Sequence, residues 1–143
     1  MCLAVYLASS QPLATSEWNE KAPAFYLKAA DGDSVRGKFS LPHVYYAGSH
    51  EGCGCGFFKE WKPDEELSRG QENYIALART LREALARGAR MELFSCWEGD
   101  QDKKPESVGS VTPDELEEPP FELKELQLLR VVSERDQPAG KAQ

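Results

Sequence analysis

Leu3, Val5 and Leu7 alternate with Cys2, Ala4 and Tyr6 at the start of the chain, so the two sets fall on opposite faces of an extended segment. Both faces are largely apolar, which predicts a central strand. Pro12 and the polar stretch 15–21 end it. Phe25, Leu27 and Ala29 then alternate with Tyr26 and Lys28 before the Asp31-Gly32-Asp33 turn, predicting a second strand with a short partner over 35–39. After Pro42, the aromatic and β-branched run His43-Val44-Tyr45-Tyr46-Ala47 predicts a third strand that stops at Gly48.

The period then changes. Tyr74, Leu77, Ala78, Leu81 and Leu85 recur at helical spacing, which predicts a helix over 71–87 stopped by Gly88, with Ser68 and Gln71 resembling a capping box. Met91, Leu93, Ser95 and Trp97 return to alternation as a fourth strand ended by Gly99-Asp100. Thr112-Pro113-Asp114-Glu115 has the cap, first-position proline and closing glutamate of a one-turn helix. The apolar stretch 121–132 changes alternation phase near Lys124-Glu125 and reads as a bulged strand, with a helix as the alternative.

Strand, long helix and strand over 43–97 predict a right-handed crossover, making those two strands parallel neighbours or near-neighbours. The expected fold is therefore α+β or α/β: a single mixed sheet of about five strands with one long helix packed on one face. Residues 1–132 form one globular domain in this reading, and 133–143, with Pro138 and Gly140, form a flexible tail.

Composition supports one domain with its own core. The chain has 143 residues, 41% hydrophobic and 29% charged, enough apolar side chain to fold without disulfide staples. Its net charge of -7 disfavours polyanionic nucleic acid and acidic lipid surfaces as partners. That charge is uneven: residues 1–62 carry six basic and six acidic side chains, while 63–143 carry 11 basic and 18 acidic ones. Much of the acid lies in 98–125 among Pro105, Pro113, Pro119 and Pro120, which reads as a solvated connecting region. No apolar run approaches the roughly 18 residues of a membrane span, and the start lacks a charged n-region. A soluble cytoplasmic protein is expected. Its Cys2, Cys53, Cys55 and Cys96 would then meet a reducing environment, where clustered cysteines serve more often as metal ligands or reactive thiols than as disulfides.

Candidate chemistry concentrates in Gly48-Ser49-His50-Glu51-Gly52-Cys53-Gly54-Cys55-Gly56-Phe57. Two thiols and an imidazole lie within six residues, and the interleaved glycines let the backbone turn so that they converge. The segment follows the carboxyl end of a predicted strand and precedes the crossover helix, the usual ligand position of open α/β sheets. As a metal site, His50, Cys53 and Cys55 supply three zinc-type ligands. Cys96 is the expected fourth, carried to the same edge by a strand parallel to the third; Cys2 replaces it if the first strand runs antiparallel to the third. As a thiol site, Cys53 and Cys55 would cycle through a strained disulfide beside His50. A third reading makes a cysteine the nucleophile, His50 the base and Glu51 an orienting group.

Simpler roles compete. Free cysteines are often only small buried hydrophobes, the favoured reading for Cys2 and Cys96 in predicted strands. His43 reads as a strand-edge residue, Tyr45, Tyr46, Trp61 and Trp97 as core or edge aromatics, and Trp61 and Phe57 as walls of the cluster. The Met1-Cys2 start resembles N-terminal nucleophile hydrolases of the glutamine-amidotransferase type, whose catalytic Cys is exposed by removal of the methionine. That resemblance covers two residues; Leu3 stands where those enzymes usually have glycine, and the chain is shorter than their layered fold. No Walker loop, dinucleotide fingerprint, nucleophile elbow or zinc-protease helix occurs. The expectation is a zinc or thiol site in a small protein whose catalysis is open. The alternative is a metal-free interaction module, its glycine loop a recognition turn and its acidic second half facing a basic protein partner.

Overall fold

The opening alternation forms β1 (Leu3–Ser9), all seven residues of which are buried. In this computed structural model, which describes residues 2–30, 34–60 and 62–133, β1 is flanked on both sides by antiparallel neighbours. One neighbour is β3 (His43–Gly48), which in turn pairs with β2 (Tyr26–Ala29). The other is β4 (Met91–Trp97), followed outward by β6 (Gln127–Val131) and the edge strand β5 (Ser107–Val111). All pairs are antiparallel except β5 with β6, so the sheet is mixed, with six strands instead of the expected five.

The long helix α1 (Asp64–Ala86) connects β3 to β4, and these two strands run in the same direction with only β1 between them. They are near-neighbours, as the crossover pattern requires. Tyr74, Leu77, Ala78, Leu81 and Ala84 of α1 are all fully buried against Leu3, Val5 and Leu7. The opposite sheet face carries a second cluster, in which Ala4, Tyr6, Ala8, Phe94 and Cys96 pack under Val35, Phe39 and Leu41.

Four local expectations need correction. The helix begins at Asp64, before the Ser68–Gln71 box; Asp64, Glu65 and Glu66 fill its first turn, where carboxylates oppose the positive end of the helix dipole. The segment over 35–39 makes a 3-10 turn at Arg36–Lys38, not a partner strand. Strand β5 lies inside the stretch read as a solvated connection. Its first four residues are exposed, with Val108 at 74%, so no burial pattern marks it. Its order comes from backbone pairing with β6. The phase change within 121–132 is not a bulge: Leu126 takes a positive φ of 50°, and the strand proper starts at Gln127.

The one-turn helix α2 (Pro113–Glu117) forms with both capping-box bonds between Thr112 and Glu115. The Asp31-Gly32-Asp33 turn, the proposed wall residue Trp61 and, apart from Ser133, the tail expected over 133–143 lie outside the described residues. No helix among the described residues is long and apolar enough to cross a membrane.

Candidate functional site

The chain leaves β3 at Gly48 and closes a tight turn around Ser49, which is completely buried. The Ser49 hydroxyl donates to the Cys53 carbonyl (2.5 Å) and accepts from the amides of Glu51 (3.2 Å) and Gly56 (3.0 Å). The Ser49 amide donates to the same Cys53 carbonyl at 2.8 Å, so one residue organises both ends of the loop. Gly52 takes a φ of 87°, a conformation that L side chains resist, and its carbonyl accepts the Tyr26 hydroxyl at 2.5 Å.

A 3-10 turn over Gly54–Phe57 follows and lies directly against the beginning of β1. A Cβ at Gly54 would stand 2.1 Å from the Leu3 carbonyl oxygen, so only glycine permits this approach. Because β1 is antiparallel to β3, the start of β1 lies beside the end of β3. Cys2 therefore meets the loop cysteines. The Sγ atoms of Cys2, Cys53 and Cys55 all lie within 4.8 Å of one another, and each residue is half-buried.

The Cys2 and Cys53 sulfurs are 3.8 Å apart, and the Cys55 amide donates to Cys53 Sγ at 3.4 Å. Burial pushes the Cys55 thiol up, and hydrogen bonds with Cys2 and Cys53, together with their charges, push it further. The Cys55 thiol therefore resists ionisation in the absence of a cation. A bound metal reverses that preference, since it binds the deprotonated form. In a tetrahedral site with Zn–S bonds of about 2.3 Å, two sulfurs are separated by about 3.8 Å. The Cys2–Cys53 pair has that separation.

His50 is not among this group. Its amide donates to Asn73 Oδ1 (3.0 Å), which identifies the oxygen of the side-chain amide, and Asn73 Nδ2 then donates to the Arg69 carbonyl (3.2 Å) and to His50 Nδ1 (2.7 Å). Nδ1 is thus an acceptor, and the ring proton of the neutral imidazole sits on Nε2. The Trp18 indole donates to the His50 carbonyl at 3.0 Å. These contacts hold His50 as a brace between the loop, α1 and the segment after β1.

Cys96 also stands apart. On β4 it is paired with Ala4 and buried in the sheet face away from α1, where burial pushes its thiol up to about 12. His43 starts β3 opposite Ser9, half-buried, and Phe57 is wholly buried in the helix-side core. Glu51 pairs with Lys62 (3.4 Å), whose ammonium also donates to the Cys55 carbonyl at 2.6 Å.

Sequence reasoning passed over Ser49, Asn73 and Lys62. Asn73 had a readable signal: it interrupts the apolar stripe of α1 beside Tyr74 and one turn before Leu77, where a polar side chain needs a dedicated partner. No protein-family model, curated protein or solved structure matches this chain.

Proposed function

We propose that the protein binds one zinc ion through the thiolates of Cys2, Cys53 and Cys55, with solvent or a small exogenous donor completing the coordination. The observation that carries this reading is the convergence of three sulfurs within 4.8 Å from two distant parts of the chain. Thiolate donors select zinc and other soft metals over magnesium or calcium. Three protein ligands with a fourth position left open is the pattern of zinc sites that interact with added ligands. In this reading His50 orients the loop instead of ligating, Cys96 is a packing residue, and the protein works in a reducing compartment such as the cytoplasm. Zinc measured on protein purified in reductant without an affinity tag should be close to one per chain. Cys2→Ser, Cys53→Ser and Cys55→Ser should each lose it, whereas Cys96→Ala should keep it. Retention of zinc by Cys2→Ser would overturn the assignment.

A second reading, thiol–disulfide exchange, is supported by the same 3.8 Å contact between Cys2 and Cys53. The exchanging pair would then be Cys2 with Cys53, which need only close to the roughly 2.05 Å of a disulfide, in place of a strained Cys53–Cys55 ring. A disulfide oxidant such as oxidised glutathione would accept the two electrons and leave as two thiols. Peptide mapping after such oxidation separates the two pairings.

A further inference from the structure

A cavity of about 680 Å³ opens beside Cys55, between the start of β1, the end of β4 and the segment leading into β6. Its size is that of a pocket for a small organic molecule. Leu3, Phe58, Trp97 and Leu123 supply its apolar wall. Phe58 and Trp97 meet edge to face with ring centroids 5.5 Å apart, and both remain partly exposed.

The charges around this wall are unbalanced. Glu51, Glu60, Glu122 and Glu125 line the cavity against Lys62 and Lys124. Both lysines are already engaged, Lys62 with Glu51 at 3.4 Å and Lys124 with Glu122 at 3.2 Å. Glu60 and Glu125 have no ion-pair partner among the described residues. An anionic ligand would be repelled by this surplus carboxylate, and a neutral one would gain nothing from it, since Glu60 and Glu125 are exposed to water. A cation satisfies the carboxylates and also finds aromatic rings, whose faces attract positive charge.

We infer that this cavity binds a small organic cation, a molecule carrying one ammonium group on an apolar body. The apolar body lies along the wall of Leu3, Phe58, Trp97 and Leu123, with the ammonium group among the carboxylates that line the cavity. The inference does not depend on zinc, although an occupant would sit next to Cys55.

The test is amide chemical-shift titration of the full chain, with and without zinc, using phenethylamine, ethylbenzene and 3-phenylpropionate as matched cationic, neutral and anionic probes. Phenethylamine should bind most tightly, shifting Phe58, Trp97 and Leu123, and added salt should weaken it. Glu60→Gln with Glu125→Gln should weaken phenethylamine about threefold or more, an effect expected for exposed charge pairs, while leaving ethylbenzene unchanged. Trp97→Leu should weaken phenethylamine by about two- to fivefold. Equal or tighter binding of 3-phenylpropionate or ethylbenzene would overturn the inference. So would phenethylamine shifts confined to residues outside the cavity, or no shifts up to its solubility limit.

Discussion

Cys2 and Cys53 are 51 positions apart in the chain, yet their sulfurs lie 3.8 Å from each other. The antiparallel pairing of β1 with β3 creates this contact by placing the first residues of one strand at the last residues of the other. The site is therefore a property of the sheet, and anything that lifts the loop from β1 should dismantle it.

Gly54→Ala is the sharpest way to lift it. The new methyl would meet the Leu3 carbonyl at 2.1 Å, so the loop must move, at a cost of about 1–3 kcal/mol typical of overpacking. Zinc affinity should fall although every thiol is retained. A chelator competition assay checks this against wild type, with circular dichroism confirming that the sheet persists.

Leu81→Ala should separate the core from the site. Leu81 is fully buried under the sheet, and its truncation should cost about 2–5 kcal/mol in urea unfolding. The fraction that stays folded should still hold one zinc per chain, because Leu81 is not among the residues that shape the loop.

Proton competition should set the acid limit of the proposed metal binding. Burial and the two neighbouring thiols push the Cys55 thiol up, so a metal ligated there must displace a proton that Cys55 holds tightly. Zinc affinity should decline steadily as pH falls from neutral, with protons released on binding. Titration calorimetry in buffers of different ionisation enthalpy measures that release.

Cys96 sets an alkaline limit instead. Burial pushes its thiol from 9.0 up to about 12 in the folded chain, with Glu98 and Asp100 adding to the shift. Below about pH 9 the thiol is neutral in both states and its contribution to stability is complete. Above that, the unfolded chain releases the proton first, and stability is lost as pH rises toward 12, at no more than about 1.4 kcal/mol per pH unit. Cys96→Ala should flatten the dependence of the urea midpoint on pH in this window.

Much of this architecture was legible in the chain. Strand β1, the apolar stripe of α1 and the Thr112–Glu115 box each satisfy a local rule that tertiary packing reinforces. Strand β5 was not legible, because Ser107, Val108, Gly109 and Ser110 are exposed and leave no apolar alternation to read, while its pairing with β6 is a backbone feature. The loop is marked by its spacing of cysteine, histidine and glycine, but which further thiol joins Cys53 and Cys55 depends on the direction of β1 relative to β3. Periodicity does not encode strand direction, so Cys2 and Cys96 could not be separated by sequence. The spacing of His50 likewise says nothing of Asn73, 23 residues away, which donates to its Nδ1.

We propose that three sulfurs of this chain, and no imidazole, hold the metal. X-ray absorption at the zinc edge of the loaded protein tests it most directly. Three sulfur scatterers at about 2.3 Å and one oxygen or nitrogen at about 2.0–2.2 Å, without the outer-shell pattern of histidine, are expected. A shell with four sulfurs, or one with imidazole scattering that disappears in His50→Ala, would contradict it.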